Sequence, residues 1–176
     1  MPQRLTGTGT LRAAVLTVSD SGARGERVDT AGPAVAAMLA SEGFVIVGQA
    51  LVPDEPEQVA EQLRRWADEQ QVALAVTTGG TGLGPRDRTP EATASVLDYR
   101  VDGMAEAMRA AGRASTPMAM LSRGLVGVRG RMLIVNLPGS ERGARENLST
   151  VLPVLRHAVE QLLGEGAHEA PPPPGA

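Results

Sequence analysis

The stretch Val76-Thr77-Thr78-Gly79-Gly80-Thr81-Gly82-Leu83-Gly84-Pro85-Arg86-Asp87-Arg88-Thr89-Pro90 decides how the rest of this sequence is read. It opens as the end of a short apolar run, Ala73 to Val76, of the length expected for a buried strand. It becomes a loop with three glycines in four residues, interleaved with threonine hydroxyls. It closes on Thr89-Pro90-Glu91, which predicts a helix start: Thr89 as the cap, Pro90 at the first helical position, Glu91 where the helix dipole favours negative charge. A strand, a glycine loop and a helix N-terminus together suit an anion, because glycine lets the backbone approach a ligand and its N–H groups can point at phosphate oxygens. A tight turn that needs glycine for backbone reasons alone has the same pattern. The adjoining hydroxyls, and a carboxylate set between two cations in Pro85-Arg86-Asp87-Arg88, favour the site.

Composition narrows the chemistry. A chain of 176 residues, 42% hydrophobic and 21% charged, predicts one globular domain with a real core. Aromatic residues are only 2%, so the core must be built from Val, Leu, Ile, Ala and Met, and base stacking on an aromatic platform is disfavoured. A net charge of −3 and a pI near 5.4 lack the footprint of a nucleic-acid binder. The absence of a long apolar run or a signal-peptide core predicts no membrane segment and a cytoplasmic location. Cysteine is absent, which excludes a thiolate nucleophile, and all seventeen cations are arginine, which excludes Schiff-base chemistry and a P-loop lysine. The two histidines, His157 in the last helical pattern and His168 near the end, do not suggest a triad or a zinc site. Carboxylates, hydroxyls, arginines, backbone amides and a hard cation such as Mg²⁺ are left to do the work.

Around the central stretch, the chain alternates. Residues 1–10 read as a flexible N-terminal arm, 11–164 as a single domain, and 165–176 as a disordered Pro-rich tail. Ala13–Val18 is a first strand, ending in Ser19-Asp20-Ser21-Gly22, a polar cluster that also suits a plain turn. Asp29-Thr30-Ala31-Gly32-Pro33 opens a helix carrying Val35, Met38 and Leu39, stopped by Gly43. Phe44–Val52 is a second strand, with Asp54 just beyond it. Capping the following helix (Val59, Leu63, Trp66) is a competing role for Asp54. Val72–Thr78 is the third strand. Pro90–Leu97 and Met104–Arg109 read as helices separated at Asp102-Gly103. Met118–Leu121 is expected as a short strand with Ser122-Arg123 at its end. Met132–Asn136 is a clear buried strand that runs into Leu137-Pro138-Gly139-Ser140. The last helix, Ala144–Leu163, has Leu148, Leu152, Leu155, Val159 and Leu162 as its stripe, Pro153 as a point for a kink and Gly164 as its stop.

Strands alternating with helices predict a three-layer α/β/α sandwich with a mostly parallel central sheet. Ligands in such sheets bind beyond the carboxyl ends of the strands. Four strand ends carry Ser19-Asp20, Asp54, the Gly79 loop with Asp87, and Pro138-Gly139-Ser140. If the sheet gathers them, Asp54 and Asp87 can share a Mg²⁺ with a phosphate ligand, the equipment of phosphoryl or nucleotidyl transfer.

The segments Thr77-Thr78-Gly79-Gly80-Thr81-Gly82 and Pro85-Arg86-Asp87-Arg88-Thr89-Pro90-Glu91-Ala92-Thr93 resemble the signature of the Mog/MoaB molybdopterin-binding proteins, which include the gephyrin G domain. The likeness extends to Val18-Ser19-Asp20, Asp29-Thr30-Ala31-Gly32-Pro33, Val52-Pro53-Asp54-Glu55, Met120-Leu121-Ser122-Arg123 and Asn136-Leu137-Pro138-Gly139-Ser140, and covers roughly residues 12–163. The resemblance implies the fold already predicted and a homotrimer. It also implies adenylylation of molybdopterin by Mg²⁺-ATP with release of pyrophosphate, ahead of molybdate insertion by a partner protein of the pathway. It makes Asp54 and Asp87 the catalytic, Mg²⁺-holding pair. It places Thr78, Gly79, Gly80, Thr81, Gly82 and Arg86 on the molybdopterin side, and Ser19, Asp20, Pro138, Gly139 and Ser140 around the nucleotide and phosphate. Three departures from the usual pattern are Ala31 for serine, Gly84 for serine, and Glu141-Arg142-Gly143 for proline-lysine-alanine. The last sets an acid beside an expected phosphate contact, so a non-catalytic molybdopterin carrier is the alternative to an enzyme. A scaffold like gephyrin is a weaker third reading.

Overall fold

The computed structural model describes residues 10–164, so all but the last residue of the expected arm, and the expected tail, lie outside the described residues. The order is β1 (Arg12–Val18), α1 (Asp20–Ala23), α2 (Ala31–Ser41), β2 (Val45–Val52), α3 (Pro56–Arg64), β3 (Leu74–Thr78), α4 (Thr89–Ala94), β4 (Tyr99–Arg100), α5 (Asp102–Gly112), β5 (Val126–Arg129), β6 (Met132–Leu137) and α6 (Glu141–Leu163). A π-helical turn, Arg65–Glu69, follows α3, and a 3-10 turn, Pro117–Leu121, follows α5. The six strands form one sheet in the order β2-β1-β3-β6-β5-β4. Strands β2, β1, β3 and β6 run parallel, and β5 and β4 extend the edge antiparallel. No helix among the described residues is long and apolar enough to cross a membrane.

Alternation along the strands builds two cores. Ala13 and Val15 of β1, Leu74 and Val76 of β3, and Leu133 and Val135 of β6 face α2, α5 and α6, where Val35, Leu39, Met108, Leu148 and Leu155 cover them. Ala14, Leu16, Ala75 and Ile134 point the other way, to Val59, Leu63, Trp66 and Ala92. The three central strands are buried on both faces, which is why they read as continuous apolar runs. Helix α6 continues through Pro153 and ends on Gly164, whose φ of 77° is the left-handed cap that glycine adopts freely.

Four expectations fail. Asp102 and Gly103, expected to separate two helices, are the first residues of α5. Met118–Leu121 is a 3-10 turn, not a strand: Pro117 stands at its start and the Thr116 hydroxyl accepts from the Met118 N–H. The real strand in that region is β5, a hairpin partner of β6, and β4 was not expected at all. Thr89 does not cap α4. It is the first helical residue, behind Arg88, and its hydroxyl is buried without a hydrogen-bond partner.

Candidate active site

The carboxyl ends of β2, β1, β3 and β6 lie side by side and bring the four predicted segments to one edge of the sheet. The glycine loop sits where it does because nothing with a side chain fits. Gly79 has a φ of 99°, and a Cβ there would stand 2.2 Å from the Val18 carbonyl oxygen of the neighbouring strand. Its N–H still continues the sheet, donating to the Leu137 carbonyl oxygen at 3.1 Å. At Gly80, with a φ of 68°, a Cβ would meet the Thr89 hydroxyl and approach Asp54 Oδ1 to 3.2 Å. The loop therefore passes directly beneath the Asp54 carboxylate.

Asp54 is not a helix cap. Glu55 occupies that position, with no side-chain capping bond. Instead Asp54 and Asp20 clasp one another across the ends of β1 and β2. The Asp20 N–H donates to Asp54 Oδ2 at 2.8 Å, and the Asp54 N–H donates to Asp20 Oδ1 at 3.0 Å. Burial pushes the Asp54 carboxyl above its ordinary value, and the negative charges of Asp20 and Asp87 add to that push. Asp20 is held below the usual carboxylate range, chiefly by Arg86 and then by the Asp54 N–H. Arg86 donates to both Asp20 oxygens at 3.0 Å and to Glu55 Oε1 at 2.7 Å, so its Nε and Nη2 are engaged by these two carboxylates. Ser19 starts α1, its hydroxyl accepting from the Gly22 N–H at 3.0 Å.

Asp87 lies across the loop from Asp54. Its Oδ2 accepts from the Gly84 N–H at 2.9 Å, and a Cβ at Gly82 or Gly84 would come within 3 Å of that same oxygen. The absence of a side chain at Gly84 leaves room for this fold-back. Ser140 caps α6 by accepting from the Gly143 N–H at 3.1 Å. Glu141 pairs with Arg145 and Arg142 with Glu146 along α6, so the unusual acid is drawn onto the helix flank.

Two clefts meet at the loop. The first, about 370 Å³, takes Ser19, Asp54, Thr78, Gly79, Gly80, Asp87, Gly139 and Ser140 in its wall. Arg27, which sequence reasoning passed over, and Asp29, which it quoted without a site role, join it. Asp29 is fixed by the Thr17 hydroxyl at 2.6 Å and the Gly32 N–H at 2.9 Å. The second, also about 370 Å³ and mostly apolar, is lined by Thr81, Gly82, Pro138 and Ser140 together with Leu83, Met118, Ala119 and Leu121. Of the expected site residues, only Asp20 and Arg86 line neither cleft. No cluster of three or more metal-binding side chains occurs among the described residues. That suits Mg²⁺, which is usually held by one or two carboxylates with substrate phosphates completing the shell. Asp54 and Asp87 share one cleft, and the Asp87 charge acts on the Asp54 carboxyl, which fits such a half-built site.

Comparison with known proteins shows the family. The family described as a probable molybdopterin binding domain matches residues 14–157. The crystal structure of the molybdopterin biosynthesis enzyme MoaB from Thermus thermophilus is 55% identical, with a TM-score of 0.84 over 88% of this chain and 98% of that one. A molybdopterin adenylyltransferase from Helicobacter pylori is 37% identical over 157 residues, 88% of this chain and 89% of its own length. The molybdenum cofactor synthesis protein cinnamon of Drosophila melanogaster is 40% identical over 154 residues. The match takes in 86% of this chain but only 25% of cinnamon, so the chain spans about a quarter of that relative.

Proposed function

The chain belongs to the molybdopterin-binding domain family, and from that premise we propose that it is a molybdopterin adenylyltransferase of molybdenum cofactor biosynthesis, using ATP and Mg²⁺. The observation that carries this reading is the pair of clefts of equal size that meet across the glycine loop and share Ser140. The polar cleft, with Asp54 and Asp87, takes the nucleotide. The apolar cleft, with Thr81 and Gly82, takes the pterin. Their ligands meet at Gly79 and Gly80, where the missing side chains let phosphate approach the backbone.

In the reaction, an oxygen of the molybdopterin phosphate attacks the α-phosphorus of ATP. The bond from that phosphorus to the oxygen bridging the β-phosphorus breaks, and pyrophosphate leaves. Mg²⁺, when bound, supplies neutralisation of the polyphosphate charge. Asp54 and Asp87 are the residues that would hold it. Asp20 and Arg86 keep the Asp54 main chain and carboxylate in register with the loop, and Gly84 does the same for Asp87. Catalysis here is positioning and charge placement, with no covalent step on the protein.

The same reading carries with it a homotrimer, a cytoplasmic location and hand-over of product to the molybdate-inserting protein. Met118, Met120, Leu121 and Leu83, exposed near the mouth of the apolar cleft, offer surface for such contacts. A molybdopterin carrier remains the alternative. The ion pairs that tie Glu141 and Arg142 to α6 weaken it, because neither group is aimed at the loop. Calorimetric titration with Mg²⁺-ATP separates the two. The enzyme reading expects saturable binding that requires the metal and is lost in Asp54→Asn. A chain that binds molybdopterin and takes up no Mg²⁺-ATP is a carrier.

A further inference from the structure

We propose that Arg123 is a positioning residue for the adenylyl transfer inferred above: it fixes the loop that carries Asp87 by gripping its carbonyl oxygens. The inference rests on that functional reading for its kinetic consequence, but its structural content stands on geometry alone.

The loop from Thr81 to Arg88 has little to hold it. Leu83 is 66% exposed, and Gly84, Pro85 and Arg86 are also at the surface, so no apolar side chain anchors it to a core. Its internal bonds are local, between Gly84 and Asp87. On the β1–β2 side Arg86 ties it to Asp20 and Glu55. On the other side Arg88 pairs with Glu91 of α4 at 3.7 Å, and the carbonyl oxygens of Thr81, Gly82 and Asp87 are all held by Arg123. The Arg123 main-chain N–H donates to the Thr81 carbonyl oxygen at 2.9 Å. Its Nε donates to the Gly82 carbonyl oxygen at 2.9 Å, one terminal nitrogen donates to the Asp87 carbonyl oxygen, and the other pairs with Glu91 at the start of α4.

One planar fork thus spans the two ends of the loop and the helix that follows it. Three acceptors in three directions, two main-chain carbonyl oxygens and one carboxylate, match the fixed donor geometry of guanidinium, and a lysine ammonium on a flexible stem does not reproduce it. Arg123 itself is set by the 3-10 turn, which delivers Ser122 and Arg123 against the loop. The Asp87 carboxylate inherits its place from a main chain that Arg123 holds. Displacing a reacting group by about 1 Å costs on the order of 10²-fold in rate.

Two variants test this. Arg123→Lys keeps the charge and loses the fork. Glu91→Gln removes the ion pair and leaves the carbonyl contacts. Amide hydrogen exchange over residues 79–91 is read first, because it needs no substrate. Exchange faster in Arg123→Lys than in wild type, with Glu91→Gln close to wild type, is the expected result. In pyrophosphate release with Mg²⁺-ATP and molybdopterin, Arg123→Lys should lower kcat at least about tenfold and change the KM for ATP little. Wild-type exchange and kcat in Arg123→Lys overturn the proposal. So does a Glu91→Gln variant as impaired as Arg123→Lys, which would make the ion pair the working contact. Absence of pyrophosphate release from the wild type would instead fail the adenylyltransferase reading, and the exchange result alone would then decide for or against Arg123.

Discussion

Gly79 shows how much one residue decides. Its positive φ and the 2.2 Å approach to the Val18 carbonyl oxygen leave no room for any side chain. Gly79→Ala should destabilise the fold by about 1–3 kcal/mol from backbone strain alone, with the clash added, read as a lower midpoint in denaturant unfolding. Such glycines are legible in sequence because only one residue type satisfies the demand. The carboxylates are less so. Asp54 beyond a strand and before a helix suits a cap as well as a ligand, and only the reciprocal bonds with Asp20, 34 residues away, decide between them. Arg86 was expected on the molybdopterin side, and its guanidinium is engaged by Asp20 and Glu55. Arg123 was quoted in a motif yet given no task, since its partners lie 32 to 41 residues distant. Long polar side chains choose partners through tertiary structure, and local pattern carries no record of that choice.

At the scale of elements, the strands that read clearly are those buried on both faces, β1, β3 and β6. Their period and apolar content speak for themselves. The hairpin of β5 with β6 was missed because Gly124 and Gly127 look like breakers. Gly127 is in fact a close-approach residue, since a Cβ there would lie 2.4 Å from Leu97 Cδ1 and 2.7 Å from the Tyr99 carbonyl oxygen. Asn136, on β6, ties β3, α4 and the residue that precedes β5 behind the site. Its Nδ2 donates to the hydroxyls of Thr77 and Thr93 at 3.0 Å each, and its Oδ1 accepts from the Leu125 N–H at 3.0 Å. All three partners are buried. Asn136→Ala leaves them unpaired beside a small cavity and should cost on the order of 3 kcal/mol, seen in thermal or denaturant unfolding. Had Asn136 been a ligand contact instead, its loss would spare stability and weaken binding.

On the scale of the whole molecule, strand–helix alternation alone specifies the fold class, and the sheet order explains why the four marked segments converge. The parallel order β2-β1-β3-β6 puts the ends bearing Asp54, Ser19, Gly79 and Gly139 in one row. What alternation cannot convey is the split into two clefts. That depends on where the 3-10 turn, packed against α5, brings Met118 and Leu121 into the wall that Pro138 and Ser140 also line, a packing outcome with no periodic signal. The two clefts are the core of the functional account, and the most direct test is pyrophosphate release by purified protein from ATP and Mg²⁺, with and without molybdopterin. The account predicts release only when all three are present, and its loss in Asp87→Asn with molybdopterin binding retained. Release that survives in Asp87→Asn, or no release from wild-type protein that binds molybdopterin tightly, would contradict it.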